Sequence, residues 1–220
     1  MNIVFEGING TGKTTIIKEL EKIMKKNNQE VHCVSEIDNK SPLAETLNKM
    51  YNKDKKFLSL SEDINTIITE TLILAADYQY MKEYTKELKG YKIYDRDIFT
   101  QNVYQKYFLE KKYGENNEFV LAWEKCLHFD NKKIDLVIYV EAPFEVCINR
   151  TCNRDNVNFS EKEKSILRDL YKLQKQYVES YCKSNNIKVI YINGCNDIQK
   201  NANKIYNDII EINWEEKHDK

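Results

Sequence analysis

The sequence predicts a three-layer α/β/α fold in which a parallel sheet of about five strands lies between two layers of helices. Short apolar runs of strand length alternate with segments of helical periodicity along the chain. This alternation is typical of a parallel sheet built with right-handed crossovers. No linker and no internal repeat interrupts it, and 220 residues fit one domain with a full-sized core. We therefore expect a single domain over residues 1–220.

The strands are predicted from apolar runs that end at polar or glycine-rich turns. The run at 2–5 has Ile and Val at its centre and stops at glycines, as a buried strand does. The third expected strand is cut off by the polar triplet at 95–97, and the run at 136–140 is the strongest in the chain. Strands are expected at 2–5, 30–34, 92–94, 136–140 and 189–192.

The helices are predicted from periodicity and from their capping residues. Ser61 is expected to cap a long helix that Gly90 ends, and Pro143 suits a first helical position. Ser160 and Glu163 match a capping box. Helical segments are expected from Lys13 onward and at 43–50, 61–88, 101–112, up to about 129, 144–149, 160–183 and 197–212.

Composition excludes several classes of function. The chain has 34 basic and 35 acidic residues and a formal net charge of −1, which gives no reason to expect a broad nucleic-acid or membrane surface. None of the six cysteines forms a Cys-x-x-Cys pair or has zinc-site spacing with histidine. No leader pattern opens the chain, and no apolar run approaches the roughly 20 residues of a membrane span. We expect a cytoplasmic protein.

The segment at 7–14 fits the phosphate-loop pattern G-x-x-x-x-G-K-[ST], directly between a buried strand and an amphipathic helix. Glycines let the backbone curl so that its N–H groups point at phosphate oxygens, and the helix dipole favours the same anion. The residues assigned to the ATP phosphates are Gly7, Ile8, Asn9, Gly10, Thr11, Gly12, Lys13, Thr14 and Thr15.

Two side chains of this loop have expected chemical roles. Lys13 can reach the outer phosphates, and we expect its ammonium group to face solvent in the protein without ligand. Thr14 can offer its hydroxyl oxygen to Mg²⁺. The pattern therefore predicts ATP and Mg²⁺ as cofactors.

With Phe5-Glu6-Gly7 before the loop and Thr14-Thr15 after it, the chain resembles the thymidylate kinase family. The resemblance continues through Leu74-Ala75-Ala76-Asp77, Tyr94-Asp95-Arg96, Tyr104-Gln105, the strand at 135–140 and the helix ending at Arg150. It implies transfer of the γ-phosphoryl group of ATP to a deoxynucleoside monophosphate, with dTMP as the expected acceptor and dTDP as product. It also implies a homodimer formed through the long helices.

The Asp-Arg pair after the third strand is expected at the substrate-binding edge of the sheet. Arg96 can grip an acceptor phosphate bidentately, because its planar fork matches two oxygens. Asp95 can orient that arginine or a magnesium-bound water.

Arg150 and Arg154 lie one helical turn apart before a polar segment, and they resemble the arginines of the family's lid, here about 150–160. No basic residue occupies the variable loop positions 8–11. As in bacterial-type members, a lid arginine must then supply the transition-state charge, a contribution of roughly 10³-fold or more.

Several positions depart from the family pattern and leave the base of the acceptor open. The usual Arg-Glu-Pro-Gly-Gly stretch is replaced by the segment at 35–42, in which only Glu36 matches. Tyr78 stands where an arginine reads the thymine edge, Leu74 where a stacking aromatic is usual, and Asp97 where Asp-Arg is followed by an aromatic.

Two other positions fit the family's substrate site. Gln101 can pair with a base through its amide, and Tyr104 can close off the sugar's 2′ position and favour deoxyribose. An exposed helix-start glutamine and a plain core tyrosine are the alternatives.

Two further functions remain open. A deoxynucleoside kinase, a neighbouring family with the same fold, phosphorylates a neutral sugar hydroxyl and uses a carboxylate base, for which Glu36 is suitably placed. A nucleotide-binding regulator would keep the loop without catalysis, but Arg96, Arg150 and Arg154 argue against it.

Overall fold

The computed structural model describes residues 1–52, 64–129 and 132–218. Its core is a five-stranded sheet in which every neighbouring pair of strands is parallel. The strands are β1 (Asn2–Glu6), β2 (Val31–Ser35), β3 (Tyr91–Asp95), β4 (Leu136–Glu141) and β5 (Lys188–Asn193). They lie side by side in the order β2-β3-β1-β4-β5. The predicted strands are all confirmed, with ends that shift by at most one residue.

Helices follow or separate the strands as the periodicity predicts. They are α1 (Lys13–Lys26), α2 (Ala44–Asn52), α3 (Ile64–Lys86), α4 (Ile98–Tyr113), α5 (Glu118–Leu127), α6 (Phe144–Asp155), α7 (Glu161–Ser184) and α8 (Ile198–His218). The capping box of α7 is confirmed, whereas Ser61, the expected cap of α3, lies outside the described residues. None of these described helices is long and apolar enough to cross a lipid bilayer.

The sheet is covered by helices on both faces, which confirms the three-layer prediction. Because side chains alternate along a strand, Ile3 and Phe5 of β1 pack in the cluster that includes residues of α1 and α8. Val4 points to the opposite face, where its cluster includes Phe99 of α4 and Val178 of α7. The strands therefore read as continuous apolar runs, as expected for a sheet buried on both faces.

Among the residues that the structure describes, three helix boundaries differ from the sequence prediction by three residues or more, and one of them is the end of α8, which lies at His218 rather than at residue 212. Helix α4 begins at Ile98 rather than near residue 101, because the Asp97 carboxylate accepts a hydrogen bond from Ile98 N and caps the helix. Helix α6 continues to Asp155 rather than ending at 149, and it stops where Asn156 adopts a left-handed conformation. Arg150 and Arg154 are therefore both helical.

The carboxyl ends of the strands meet at one edge of the sheet. In the parallel register, Phe5 pairs with Asp95 and Ser35 pairs with the same residue from the other side. The polar residues that end these strands are thus brought next to the loop that follows β1. In open α/β sheets this edge is where ligands bind.

Candidate active site

The phosphate loop closes tightly over the end of the sheet. Gly7 and Gly10 have φ values of 136° and 83°, which side chains rarely tolerate. A Cβ atom on Gly7 would lie 2.3 Å from the carbonyl oxygen of Val140, and one on Gly10 would lie 2.2 Å from that of Cys147. The two glycines are therefore required both by conformation and by the close approach of β4 and α6.

Lys13 is buried rather than facing solvent, which corrects the sequence expectation. Its Nζ donates to the carbonyl oxygens of Gly7 at 2.6 Å and Ile8 at 3.0 Å, because the curled loop turns these acceptors toward it. Burial, together with the nearby charge of Arg96, lowers the pKa of Lys13 to about 8. The ammonium group is thus held inside the phosphate loop.

The two groups predicted to serve a metal ion lie together. Thr14 Oγ1 donates a hydrogen bond of 2.5 Å to Asp95 Oδ2, which joins the start of α1 to the end of β3. Hydroxyl and carboxylate oxygens are the ligand types that Mg²⁺ prefers, and Mg²⁺ usually binds through few protein groups plus water and phosphate. The described residues contain no cluster of three or more His, Cys, Asp or Glu that could hold a metal by itself. The pair therefore fits a magnesium ion that is shared with a nucleotide.

Arg96 is almost completely buried and is held by side chains from three segments. Its Nη2 donates to Asn9 Oδ1 at 2.6 Å, its Nη1 donates to Thr100 Oγ1 at 3.2 Å, and its Nε lies 3.3 Å from Glu36 Oε2. The guanidinium also lies over the Tyr104 ring, 5.6 Å from the centroid. Burial disfavours its charge, but the neighbouring acids, Glu36 above all, leave the pKa of Arg96 raised. The arginine is a fixed, permanently charged group.

The carboxyl group of Glu36 faces the same arginine. Burial raises the pKa of Glu36, while the positive charge of Arg96 works in the opposite direction. The sequence predicts the position of Glu36 after β2 but no partner for it, and the structure shows that the partner is Arg96.

These groups line one cleft of about 480 Å³. Its walls combine the phosphate loop, the end of β2, the Asp-Arg pair after β3 and the two arginines of α6. The lining residues are Asn9, Gly10, Gly12, Lys13, Thr14, Thr15, Ser35, Glu36, Ile37, Asp95, Arg96, Arg150 and Arg154. The cleft therefore combines a phosphate-binding loop with a fixed cation, Arg96, which is hydrogen-bonded to that loop at Asn9.

The two arginines of α6 differ in their contacts. Arg150 Nη1 donates to the carbonyl oxygens of Gly10 at 3.2 Å and Gly194 at 3.1 Å, so it bridges the phosphate loop and the turn after β5. Arg154 makes a bidentate contact with its neighbour Asp155, at 2.7 and 2.6 Å, and remains exposed.

A smaller cavity of about 40 Å³ adjoins the cleft at Ser35, Glu36 and Arg96. Tyr78 and Gln101, two of the residues predicted to bind substrate, line it. Additional lining residues are Val34, Asp77, Met81, Lys82, Tyr94, Asp97 and Lys132.

The amide of Gln101 is oriented by one hydrogen bond. Its Nε2 donates to the carbonyl oxygen of Leu74 at 3.3 Å, and its buried Oε1 has no hydrogen-bond partner among the described residues. Leu74 and Tyr104 are both buried, and neither is among the described residues that line the two cavities. Leu74 thus contributes its backbone here, and Tyr104 lies behind Arg96.

Lys132 was not identified from the sequence. Its ammonium group pairs with Asp97 and lies over the ring of Tyr94, 3.2 Å from the centroid. Burial lowers the pKa of Lys132. A lysine just before a strand has no distinctive pattern, so no sequence signal could have found it.

Glu6, in the motif before the phosphate loop, is a site residue that the sequence reasoning does not predict. Its carboxylate is fully buried and accepts hydrogen bonds from Asp97 N at 3.0 Å, Thr100 Oγ1 at 2.8 Å and Gln174 Nε2 at 2.9 Å. Burial raises the pKa of Glu6 to about 7, against the lowering effect of Arg96. The sequence did contain a signal for this role: a charged residue at the end of a buried apolar strand has to be paired with hydrogen-bond donors or an opposite charge.

The raised pKa of Glu6 predicts a pH-dependent stability. Between about pH 4.5, the ordinary value, and about pH 7 the folded protein holds the Glu6 proton more tightly than the unfolded chain does. The contribution of Glu6 to the free energy of unfolding therefore falls as pH rises through this window, by up to about 3 kcal/mol. Glutamine does not titrate. We therefore expect the free energy of unfolding, measured with urea, to fall less between pH 5 and pH 8 in Glu6→Gln than in the wild type.

The exposed Glu45, which pairs with Lys49 on α2, supplies the matched control. Glu45→Gln should retain the wild-type pH dependence of the free energy of unfolding, since Glu6 is unchanged in this variant. Parallel profiles for wild type and Glu6→Gln would contradict the prediction.

Comparison with known proteins agrees with this geometry. The family model described as Thymidylate kinase matches residues 5–205. A thymidylate kinase of Buchnera aphidicola subsp. Baizongia pistaciae is 32% identical over 162 residues, 71% of this chain and 71% of that protein.

Solved structures of deoxyadenosine kinase from M. mycoides share the fold. One, with dATP bound, has a TM-score of 0.64 at 19% identity, and one, with the products dCMP and dCDP, has 0.62 at 18%. Each comparison covers 96% of this chain and 100% of the other. The family match extends over nearly the whole chain and includes the phosphate loop and the Asp-Arg pair. The chain belongs to the thymidylate kinase family and is an ATP-dependent nucleoside monophosphate kinase.

Proposed function

We propose that the protein transfers the γ-phosphoryl group of ATP to the phosphate of a deoxynucleoside monophosphate, with dTMP as acceptor and dTDP as product. The observation that carries this proposal is the buried Arg96, which lines the same cleft as Lys13 and Thr14. A permanent cation in the same cleft, hydrogen-bonded to Asn9 of the phosphate loop, suits an acceptor that is itself a phosphate. The 32% identical thymidylate kinase supports thymidylate as that acceptor.

In this mechanism the residues of the cleft neutralise and position phosphate groups. Thr14 would hold Mg²⁺ directly and Asp95 through a water molecule, and the ion would offset charge on the β and γ phosphates of ATP. Lys13 would leave its loop carbonyls to bind the outer phosphates, and Arg96 would hold the acceptor phosphate in line. No general base is required, because the acceptor phosphate is already anionic at neutral pH.

The proposed base site is centred on the smaller cavity, which at about 40 Å³ would have to widen to admit a base. Gln101 Oε1, which is buried there without a partner among the described residues, is an acceptor that the N3–H group of thymine would satisfy. Tyr78 lines this cavity at the position where the family usually has an arginine. Recognition of the base would therefore rest more on the glutamine amide than on a cation at that position.

The lid arginines are proposed to act in the transition state, and Arg154→Ala and Arg150→Ala should lower turnover more than they weaken ATP binding. We expect a loss in kcat of at least about tenfold each, equivalent to about 1.4 kcal/mol. Steady-state kinetics combined with ATP titration by calorimetry measures both quantities.

Arg168 provides the control for this experiment. It is also exposed, and it pairs with Glu145 at 2.9 Å without lining the cleft. Arg168→Ala should retain wild-type turnover. If both lid variants change only the Michaelis constant for ATP, the two arginines are ordinary ground-state contacts.

A second candidate, phosphorylation of a deoxynucleoside, is favoured by one observation. Glu36 Oε2 lies 3.3 Å from Arg96 Nε in the cleft, and burial raises the pKa of this carboxyl group. A carboxylate held near the acceptor site can take the proton of a sugar 5′-hydroxyl. The fold is shared with deoxyadenosine kinase, which leaves this candidate compatible with the architecture.

We also propose that the protein forms a homodimer through α3. Leu72, Tyr80 and Tyr84 are 50%, 44% and 39% exposed and follow one face of that helix at four-residue spacing or multiples of it. Leu121 of α5 is 43% exposed. Light scattering of the purified protein, compared with Leu72→Glu, measures whether this face holds two copies together.

A steady-state assay with ATP and a panel of nucleosides and nucleoside monophosphates tests the proposed function. Phosphorylation of dTMP, with little activity on thymidine, is the expected result. Efficient phosphorylation of thymidine with none of its monophosphate would replace the first candidate by the second.

A further inference from the structure

A buried polar cluster lies directly behind Arg96. It consists of Glu6 at the end of β1, Thr100 in the first turn of α4 and Gln174 in the middle of α7, which are 0%, 3% and 0% exposed. Gln174 Nε2 donates to Glu6 Oε2 at 2.9 Å and to Thr100 Oγ1 at 3.2 Å, and Thr100 Oγ1 donates to Glu6 Oε2 at 2.8 Å. The three side chains therefore connect three separate elements around one carboxylate.

This cluster holds the backbone turn that carries Arg96. Arg96 has a φ of 76°, a left-handed conformation that residues other than glycine rarely adopt. Two hydrogen bonds fix the turn: Arg96 N donates to the carbonyl oxygen of Phe5 at 3.0 Å, and Asp97 N donates to Glu6 Oε1 at 3.0 Å. An unfavourable conformation persists only where its surroundings over-determine it, and here Glu6 supplies part of that constraint.

The same cluster holds the side chain of the arginine. Arg96 Nη1 donates a hydrogen bond to Thr100 Oγ1 at 3.2 Å, and Thr100 Oγ1 in turn donates a hydrogen bond to Glu6 Oε2. Glu6 also acts on Arg96 through its charge. None of Glu6, Thr100 and Gln174 is among the described residues that line the cleft, and Thr100 is connected to the cleft through its hydrogen bond with Arg96.

We propose that Glu6, Thr100 and Gln174 are positioning residues that set the direction of the Arg96 guanidinium for the acceptor. This inference rests on the proposed role of Arg96 as the acceptor-binding group. A binding group works at full strength only when its rotamer is locked by the shell behind it. Thr100 is the key member, because its hydroxyl alone bonds to the arginine, the carboxylate and the amide.

The threonine can be tested with nearly isosteric replacements. Thr100→Val keeps the shape and removes the hydroxyl, and we expect kcat/KM for the acceptor to fall about tenfold, the size typical of a hydrogen bond to a charged group. The Michaelis constant for ATP should stay unchanged. Thr100→Ser restores the hydroxyl and should restore most of the lost activity. Gln174→Leu removes the other side-chain donor to Glu6 and should act in the same direction.

Thr85→Val is the matched control for loss of a buried threonine hydroxyl. Thr85 is 2% exposed and its hydroxyl donates to the Lys82 carbonyl in α3, outside the cluster. Thermal unfolding of both valine variants separates a loss of stability from a loss of positioning. If Thr100→Val reduces kcat/KM no more than Thr85→Val does, or raises the Michaelis constant for ATP equally, the proposal is overturned.

A double-mutant cycle tests the route through Arg96. In an Arg96→Met background, Thr100→Val should cost less than about twofold, because contacting residues that act as one unit are not additive. A full tenfold loss in that background overturns the positioning role. If the wild-type enzyme phosphorylates thymidine instead of dTMP, the proposed function fails, and the same variants measured with thymidine still decide whether Thr100 acts through Arg96.

Discussion

Replacing Lys13 with alanine is expected to reduce phosphoryl transfer by about 10³-fold or more, since a preorganised charge next to the transferring group is among the largest electrostatic contributions to catalysis. Lys13 Nζ lies inside the loop, 2.6 Å from the Gly7 carbonyl oxygen and 3.0 Å from that of Ile8. ATP phosphates would replace these neutral acceptors by stronger, charged ones. A discontinuous assay with radioactive ATP measures rates low enough to quantify the loss.

The fold should survive this replacement, because the charge that is removed is an unfavourable one. Burial lowers the pKa of Lys13 to about 8, so the folded protein holds this proton less tightly than the unfolded chain. The contribution of Lys13 to stability therefore rises between about pH 8 and the ordinary value near 10.5. At pH 7 this unfavourable charge offsets the two loop hydrogen bonds that Lys13→Ala removes, so the variant should unfold near the wild-type temperature.

Lys18 supplies the control, since it lies on the same helix and is exposed. Lys18→Ala should leave both turnover and unfolding unchanged. Near-normal turnover in Lys13→Ala would show that the loop at 7–14 does not hold the phosphates of ATP.

The parts of this fold that depend on local sequence were predictable. Short apolar runs that alternate with helical segments predict the five parallel strands, because a strand buried on both faces has to be continuously apolar. The phosphate loop was predictable for a similar reason: Gly7 and Gly10 have backbone conformations and close contacts that a side chain would disrupt. Capping signals such as Ser160 and Glu163 act over three residues and were equally readable.

The arrangement around Arg96 was not predictable, because it is assembled over long chain separations. Thr100 is four residues away from Arg96, but Asn9 is 87 residues away, and Gln174 is 168 residues from Glu6. A single sequence carries no signal for contacts between such distant positions. The burial of Lys13 was missed for a different reason, since it depends on carbonyl groups of the loop backbone rather than on side chains.

Arg96→Met and Glu36→Gln together are expected to decide between the two candidate acceptors. With a monophosphate acceptor, Arg96→Met leaves a dianionic phosphate unpaired in a partly dried cleft. We expect kcat/KM for dTMP to fall by an amount equivalent to about 2–5 kcal/mol, by analogy with broken buried charge pairs. Methionine keeps the apolar stem beside Tyr104, so the change is mainly one of charge.

Glu36→Gln should then have a modest effect on dTMP phosphorylation. No hydroxyl proton has to be removed, and the amide oxygen can still face Arg96, whose Nε lies 3.3 Å from the carboxylate. With a nucleoside acceptor the order reverses, because Glu36→Gln removes the base and should cost about 10²-fold or more in turnover.

The pH dependence separates the two mechanisms a second time. Burial raises the pKa of Glu36, so a reaction that needs its ionised form loses rate on the acidic side, and that acidic limb should vanish in Glu36→Gln. A reaction that needs only the charge of Arg96 keeps, in Glu36→Gln, the fall in rate at low pH that comes from protonation of the acceptor phosphate.

Both variants, with Glu45→Gln as an exposed control, are measured on thymidine and dTMP across pH. We expect the greater loss in Arg96→Met with dTMP. An inactive Glu36→Gln, in a protein whose wild type uses thymidine and ignores dTMP, would assign the carboxylate as a base and the protein as a nucleoside kinase.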